Sequence, residues 1–334
     1  MPSSVKNDNG FMMKKVSLLA LAIALLALAS CKSSLKSEES VSNINNALQD
    51  SVEAILERHL VEYDAMDGVA IVMETESGKI RAMVGLEAKG DSTYERVDSL
   101  AASKHSSALM RTVSVLAALN TGKVKPDDMF DSGVGIFIYD NDTIYDHNWR
   151  KGGYGELTLR QALAYSSDIA ITRAVDEAFP DKKDFLASVR KMSFGQSLEV
   201  EGLKVDSCVQ DSEMPWCYYA MGFQEITPLQ MLAFYNAIAN KDSIASPSSI
   251  ADIRGMLEGV VSKGLAKRAM SDKVAGMNGT IRNEDSTLTA DFCGYFPADK
   301  PRYTILVSVH RKELPAAGGR MAGSIFKEIA EMVM

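Results

Sequence analysis

The stretch from His105 to Gly122 constrains the fold of this chain more than any other segment. Between Met110 and Leu119, Ala and Leu dominate and apolar side chains occur almost all round the helical circumference. The following Asn120, Thr121 and Gly122 provide a C-terminal stop, because Asn and Gly are preferred just beyond a helix end. A helix that is apolar on every side must be surrounded by other elements. The stretch therefore predicts a helix at the centre of a large domain.

Composition excludes several classes of function. The 334 residues are 46% hydrophobic and 24% charged, which is enough for one large domain or two small ones. A net charge of −8 argues against a nucleic-acid groove, since phosphates require clustered Lys and Arg. The four histidines are scattered, and no Cys/His spacing is typical of a zinc site. We expect no nucleic-acid partner, no metal and no cofactor.

The N-terminus has the pattern of a secretory signal. Lys14-Lys15 precedes the apolar run Val16 to Leu28, and Ala29-Ser30-Cys31 follows it. The run is shorter than the ~20 residues that a spanning helix needs. Leu28 to Cys31 resembles a bacterial lipobox, which predicts a signal peptide over residues 1–30 and a lipid on Cys31. The alternative is an ordinary signal peptide with an incidental Cys31. Either way, we expect a periplasm-facing envelope protein, with the membrane as a partner through the lipid in the first case.

The mature chain reads as a tether, a helix and a domain. Residues 31–43 are polar and Ser-rich, as in a tether. Residues 44–65 carry apolar side chains at helical spacing and predict one amphipathic helix, which leads into a domain over residues 66–334. Cys208 and Cys217 flank a polar loop and are either a disulfide or two free thiols. Cys293 lies in an apolar strand and is predicted to be in the core.

Several local patterns within the domain predict its elements. Residues 68–85 read as a hairpin with a polar turn, and the polar residues 86–104 as a loop over a groove. Thr227-Pro228 is typical of a helix start, with an N-cap residue followed by Pro. Further helices are expected over 250–264 and 317–334, and strands over 292–297 and 303–309.

The order of these segments resembles that of the penicillin-binding protein transpeptidase domain, in its class B-like form. The matching residues are the Ala-Met-Val strand at 82–84, Leu116-Ala-Ala-Leu119, Asp146-His-Asn148, Gly155 to Asp168, Thr227-Pro-Leu-Gln-Met231, Ile238-Ala-Asn240 and Val274 to Thr280. The resemblance implies the α+β fold of the serine DD-peptidase and β-lactamase superfamily. In that fold a five-stranded antiparallel sheet is flanked by helices and a mostly helical lobe.

All three catalytic motifs of the resembled family depart from its pattern. Family members acylate a serine with the end of a peptidoglycan peptide or with penicillin, and a lysine one helical turn later serves as base. Counting back from Leu116 puts Ala108 at the serine position and Arg111 at the lysine position. The second motif, Ser-x-Asn, reads Ser166-Ser167-Asp168, and the third, Lys-Thr-Gly-Thr, reads Met277-Asn278-Gly279-Thr280.

These departures change the charge expected in the groove. Lys to Arg leaves the charge unchanged, whereas Asn to Asp adds one negative charge and Lys to Met removes one positive charge, so the groove is two units more negative. An anionic acyl donor should bind less well there. Arg111 and Asp168 should face each other across the groove in the resembled fold, and a buried charge without a partner is costly. We therefore predict an ion pair between them; the alternative is independent drift in an unused groove.

The sequence thus predicts a catalytically degenerate, lipid-anchored homologue of these transpeptidases. As a non-catalytic binding or regulatory protein, it would take peptidoglycan peptides or cell-wall synthesis proteins as partners. The alternative is an active serine transpeptidase, able to bind penicillin, with a displaced nucleophile such as Ser106 or Ser107, although no lysine follows either at three residues. A third interpretation is a paralogue without a present role.

Overall fold

The computed structural model describes residues 42–90, 92–139, 142–208, 221–222, 224–267 and 273–334. The chain divides into two compact units, residues 1–42 and 43–334, and only the second is covered by the description below. The predicted signal peptide, the lipid position Cys31 and nearly all of the tether lie outside the described residues, so they stay predictions. No described helix combines the length and hydrophobicity needed to cross a bilayer.

The described part of the chain contains eight α-helices and fourteen strands. The helices are α1 (Asn46–Tyr63), α2 (Met110–Asn120), α3 (Leu159–Ala164), α4 (Asp168–Ala178), α5 (Lys182–Lys191), α6 (Pro228–Asn240), α7 (Pro247–Ser262) and α8 (Ala322–Val333). The strands are β1 (Asp67–Glu74), β2 (Ile80–Gly90), β3 (Thr93–Arg96), β4 (His105–Ser106), β5 (Met129–Asp131), β6 (Ile136–Tyr139), β7 (Asp142–Tyr145), β8 (Glu156–Thr158), β9 (Leu198–Val200), β10 (Leu203–Val205), β11 (Glu225–Ile226), β12 (Ala275–Arg282), β13 (Leu288–Phe296) and β14 (Tyr303–Arg311).

The main sheet confirms the predicted α+β class but has one strand more than expected. Its order is β12-β13-β14-β1-β2-β3, and every neighbouring pair is antiparallel. The sixth strand, β3, comes from the segment over 86–104 that was predicted to be a loop, and this prediction was wrong. Three of its four residues are exposed, so β3 forms by pairing with the free edge of β2 and not by burial.

Helices cover both faces of this sheet. On one face lie α1 and α8, and the ring centroids of Phe292 in β13 and Phe326 in α8 are 4.6 Å apart. On the other face lies α6, whose Tyr235 hydroxyl donates to the Thr112 hydroxyl of α2 over 2.6 Å. Helix α6 begins as predicted: Thr227 caps it, Gln230 closes a capping box, and Pro228 is its first residue.

Helix α2 is the centre of the helical lobe, as its sequence predicts. All of its residues except the last are buried, and α4, α5 and α7 pack around it. The four residues that precede α2, from Ser106 to Leu109, run from the small β4–β11 pair into the helix. This segment contains the position of the family's nucleophile.

We expect Phe326→Ala to lower the free energy of unfolding by about 3–5 kcal/mol, because it empties a fully buried position between α8 and the sheet. Urea unfolding followed by circular dichroism measures this change. Met332→Ala is the matched control, since Met332 lies in the same helix but is 41% exposed. An equal loss in both variants would contradict the packing of α8 described above.

Candidate functional site

The start of α2 carries no nucleophile at the position the motif predicts. Ala108 is fully buried, and its methyl group lies against Gly279 of β12. A β-carbon at residue 279 would approach the β-carbon of Ala108 to 2.5 Å, so this close contact requires glycine. The backbone of the third motif is therefore in its expected place beside the first motif, but the side chain between them offers only a methyl group.

Arg111 and Asp168 form the predicted ion pair. Nε of Arg111 donates to Oδ1 of Asp168 over 2.7 Å, and Nη2 donates to Oδ2 over 3.1 Å. The side chains are only 8% and 19% exposed, and Nη1 of Arg111 also donates to the carbonyl oxygen of Ala108 over 3.2 Å. This two-point geometry is the strongest arrangement that a guanidinium and a carboxylate adopt.

The fold of the second motif fixes Asp168 in this pair. Ser167 caps α4: its hydroxyl oxygen accepts from the Ala170 amide, and the hydroxyl donates to Asp146 over 2.7 Å. Asp168 is then the first residue of α4, where the positive end of the helix dipole favours a carboxylate. Burial raises the pKa of Asp146, while its bonds from Ser167 and Ile169 oppose this shift.

The remaining motif residues do not rebuild a base or a carboxylate-binding group. Met277 is fully buried in the core. Asn278 is 7% exposed, and its Oδ1 accepts no hydrogen bond within the described residues. Thr280 accepts from the amide of Gly318, which ties a loop to β12. Ser166 has a left-handed backbone, with φ of 52°, and its buried hydroxyl has no partner in the described part of the chain.

A buried polar cluster lies beside the site, and sequence reasoning missed it. Asp291, which is 2% exposed, accepts from the hydroxyl groups of Ser107 over 2.5 Å and Ser308 over 2.6 Å. Nε2 of His105 is 3.8 Å from the same carboxylate, and the His105 ring meets that of His310 edge-on, with 5.0 Å between centroids. The feature of the sequence that could have revealed this cluster is Asp291 itself, a single carboxylate within the apolar strand β13.

The charges in this cluster perturb two pKa values. Burial by itself would lower the pKa of His310, but Asp67, 2.7 Å from its Nδ1, together with Asp291 and Asp285 outweighs burial and raises it. Burial would raise the pKa of Asp291, but His105 and the two serine hydroxyl groups together hold it below its usual value. Asp291 is therefore a carboxylate at neutral pH and a weak proton acceptor.

The structure describes only one member of the pair Cys208 and Cys217, which the sequence left as either a disulfide or two free thiols. Cys208 is buried and is bonded to no other described cysteine, and burial raises the pKa of its thiol to about 11. Cys217 lies outside the described residues, so its pairing with Cys208 stays a prediction. Cys293 is fully buried in β13, as its apolar surroundings predict. No group of three or more His, Cys, Asp and Glu among the described residues has the arrangement of a metal site.

Residues 68–331 match the family model of the penicillin-binding protein transpeptidase domain. The chain belongs to this family. Among curated proteins it is 28% identical over 264 residues to penicillin-binding protein 1A of Aquifex aeolicus, covering 70% of this chain and 33% of that protein. It is 22% identical over 333 residues to a probable peptidoglycan D,D-transpeptidase, PbpC, of Pseudomonas aeruginosa, covering 88% of this chain and 58% of that protein. The chain thus spans about a third to three fifths of the length of these curated relatives.

Solved structures agree with this membership at the level of the fold. A peptidoglycan glycosyltransferase from Burkholderia ambifaria superposes with a TM-score of 0.73 at 22% identity, covering 88% of this chain and 96% of that one. The sheet and helical lobe described above are therefore the family architecture.

We expect Arg111→Met to lower the free energy of unfolding by about 3–5 kcal/mol, because it leaves Asp168 without its partner in a partly buried position. Asp168→Asn in the same molecule should restore part of this loss. Urea unfolding of the two single variants and the double variant measures the coupling energy. The control is Arg160→Met, since the pair of Arg160 and Asp127 is exposed and should contribute less than about 1 kcal/mol. Strictly additive losses at 111 and 168 would refute the coupling.

The His310 contact with Asp67 predicts a pH-dependent stability. Since the folded-state pKa of His310 is raised, its contribution is fully present below the unfolded pKa of ~6.5 and is lost as pH rises through the folded pKa. We expect His310→Gln to destabilise the protein more at about pH 5.5 than at about pH 9. Asp67→Asn should reduce this difference, because Asp67 contributes most of the contacts that raise the pKa of His310. Denaturant unfolding at the two pH values measures the loss of unfolding free energy in each variant. An equal loss for His310→Gln at both pH values would contradict the raised pKa.

Proposed function

We propose that this protein is a non-catalytic member of the penicillin-binding protein transpeptidase family, acting as a binding or regulatory protein in peptidoglycan metabolism. The observation that carries the proposal is the ion pair of Arg111 and Asp168 where the family has a lysine and an asparagine. Acyl transfer to a serine needs a hydroxyl group and a base that can take its proton. Ala108 supplies no hydroxyl group, and Arg111 is a permanent cation that cannot take a proton.

The electrostatics also favour a ligand that differs from the family's acyl donor. The donor's terminal carboxylate requires a cation in the third motif, and Met277 is a buried apolar residue in its place. Losing one desolvated ionic contact costs about 1.5–3 kcal/mol of binding. We therefore expect weak binding of D-Ala-D-Ala-terminated peptides. A protein partner from the cell-wall synthesis machinery is the other candidate for this face of the domain.

The envelope location belongs to the same proposal. The two curated relatives are named as a penicillin-binding protein and a probable peptidoglycan D,D-transpeptidase, and peptidoglycan lies outside the cytoplasmic membrane. A lipid on Cys31 would hold the transpeptidase domain at a membrane surface. We propose a periplasm-facing, lipid-anchored protein, and mass analysis of the membrane-derived protein tests the lipid.

One observation favours the active alternative, in which Ser107 replaces the missing nucleophile. Its hydroxyl group lies 2.5 Å from the Asp291 carboxylate, so a proton acceptor is at hand. Three facts oppose catalysis: Ser107 is 2% exposed, its oxygen also accepts from the Leu109 amide, and the pKa of Asp291 is lowered. Because the buried Ser107 hydroxyl group donates one hydrogen bond and accepts another, it fixes the start of α2.

We expect no covalent adduct when the full-length protein is incubated with a fluorescent penicillin, as judged by intact-protein mass. Pseudomonas aeruginosa PbpC, treated in parallel, controls for the reactivity of the reagent. Ser107→Ala separates the two hypotheses. An added mass on the wild-type protein that disappears in Ser107→Ala would establish the displaced nucleophile and overturn the non-catalytic proposal.

A further inference from the structure

A cavity lies away from the motif residues, between the C-terminal end of α6 and the first three turns of α7. Its volume is about 650 Å³, within the range of 300–1,000 Å³ that is typical of small-molecule sites. The wall is mostly apolar and includes Ala245, Pro247, Ile250 and Ala251. A cavity of this size and character accommodates the apolar body of a small organic molecule.

One buried cation lines this cavity. Arg254 is 7% exposed and is held by three backbone carbonyl groups. Nη1 donates to Ile238 over 3.2 Å and to Ala239 over 2.6 Å, and Nη2 donates to Ala298 over 2.8 Å. A guanidinium group has five N–H donors, so two donors do not bond to the described residues. No carboxylate oxygen in the described part of the chain lies within 4.0 Å of this group, because Arg254 takes part in none of the ion pairs found there.

The contacts of Arg254 hold its position but do not neutralise its charge. The carbonyl groups of Ile238 and Ala239 belong to the last turn of α6, so Arg254 caps that helix. Its guanidinium group also lies 5.0 Å from the ring centroid of Tyr295, a cation–π contact. A carboxylate is the counter-ion that stabilises a buried guanidinium group best. The two N–H donors of Arg254 that have no partner among the described residues are the groups that would bind it.

The charged residues at the cavity rim do not reverse the preference of the cavity for a carboxylate. Lys241, Asp242 and Glu258 also line the cavity, but all three are exposed. Water and salt screen exposed charges far more than buried ones. Arg254 is the one charged lining residue that is buried, so its charge dominates the electrostatic potential inside.

We propose that this cavity binds a small organic carboxylate with an apolar body. The carboxylate would accept from the two spare donors of Arg254, and the apolar body would lie against Pro247, Ile250 and Ala251. This site is separate from the degenerate groove and does not depend on the function proposed for that groove. Its ligand makes no covalent bond.

The test uses N-acetyl-L-leucine as the carboxylate probe and N-acetyl-L-leucinamide as its uncharged control. Isothermal titration of the full-length protein should give a dissociation constant in the millimolar range for the acid, as expected for about a dozen heavy atoms. The amide should bind at least about tenfold more weakly, because it cannot form the charged hydrogen bonds. Equal affinity for the two probes, or no binding of the acid at about 20 mM, would overturn the proposal.

Two variants place the binding at this cavity. Ala251→Trp fills the cavity from an exposed helix position and leaves Arg254 in place, so it should abolish binding without unfolding the protein. Arg254→Lys keeps the charge but loses the planar fork, and it should weaken binding of the acid about tenfold. If Ala251→Trp, shown to be folded by a cooperative melt, binds the acid like the wild type, the site lies elsewhere and the assignment fails.

Discussion

Arg111 sets the charge balance where the first motif meets the second. A guanidinium group does not lose its proton in a protein, so its side chain, only 8% exposed, needs a counter-charge nearby. Asp168 supplies it from another helix through two hydrogen bonds, and the first turn of α4 stabilises that carboxylate in turn. The first and second motifs are thereby bound to each other. In a working transpeptidase the same two positions must leave a lysine free to exchange a proton.

The two substitutions are physically dependent on each other. Arginine opposite an asparagine would leave a buried cation with only a neutral amide, and aspartate opposite a neutral lysine would leave a buried anion. Each intermediate costs several kcal/mol, a large share of the stability of an ordinary domain. Once both are present, the pair stabilises the groove in its altered form, and reverting either residue alone is unfavourable. Stability therefore couples the residues at positions 111 and 168.

Local signals in the sequence predicted most of the fold. The all-apolar helix α2, the Thr227-Pro228 start of α6 and the β1–β2 hairpin each depend on neighbouring residues, so their patterns could be read directly. Strand β3 was missed because it forms by pairing with an existing edge, which leaves no apolar period in residues 93–96. The pair of Arg111 and Asp168 was predictable because the motif order placed both residues in a known groove. The cluster of Asp67, His105, Asp291 and His310 was not, because the strand register brings together residues up to 243 positions apart along the chain.

That cluster also fixes the position of Ser107. Ser107 directly precedes Ala108 in the chain, and its side chain does not enter the groove. Its bond to Asp291 and its acceptance of the Leu109 amide hold it against the sheet instead. The amide of Ser107 also donates to the Gly222 carbonyl, so the backbone of this segment is fixed as well. Moving Ser107 outward would leave a buried carboxylate with one serine donor fewer, and that cost opposes any displacement of Ser107 from the sheet.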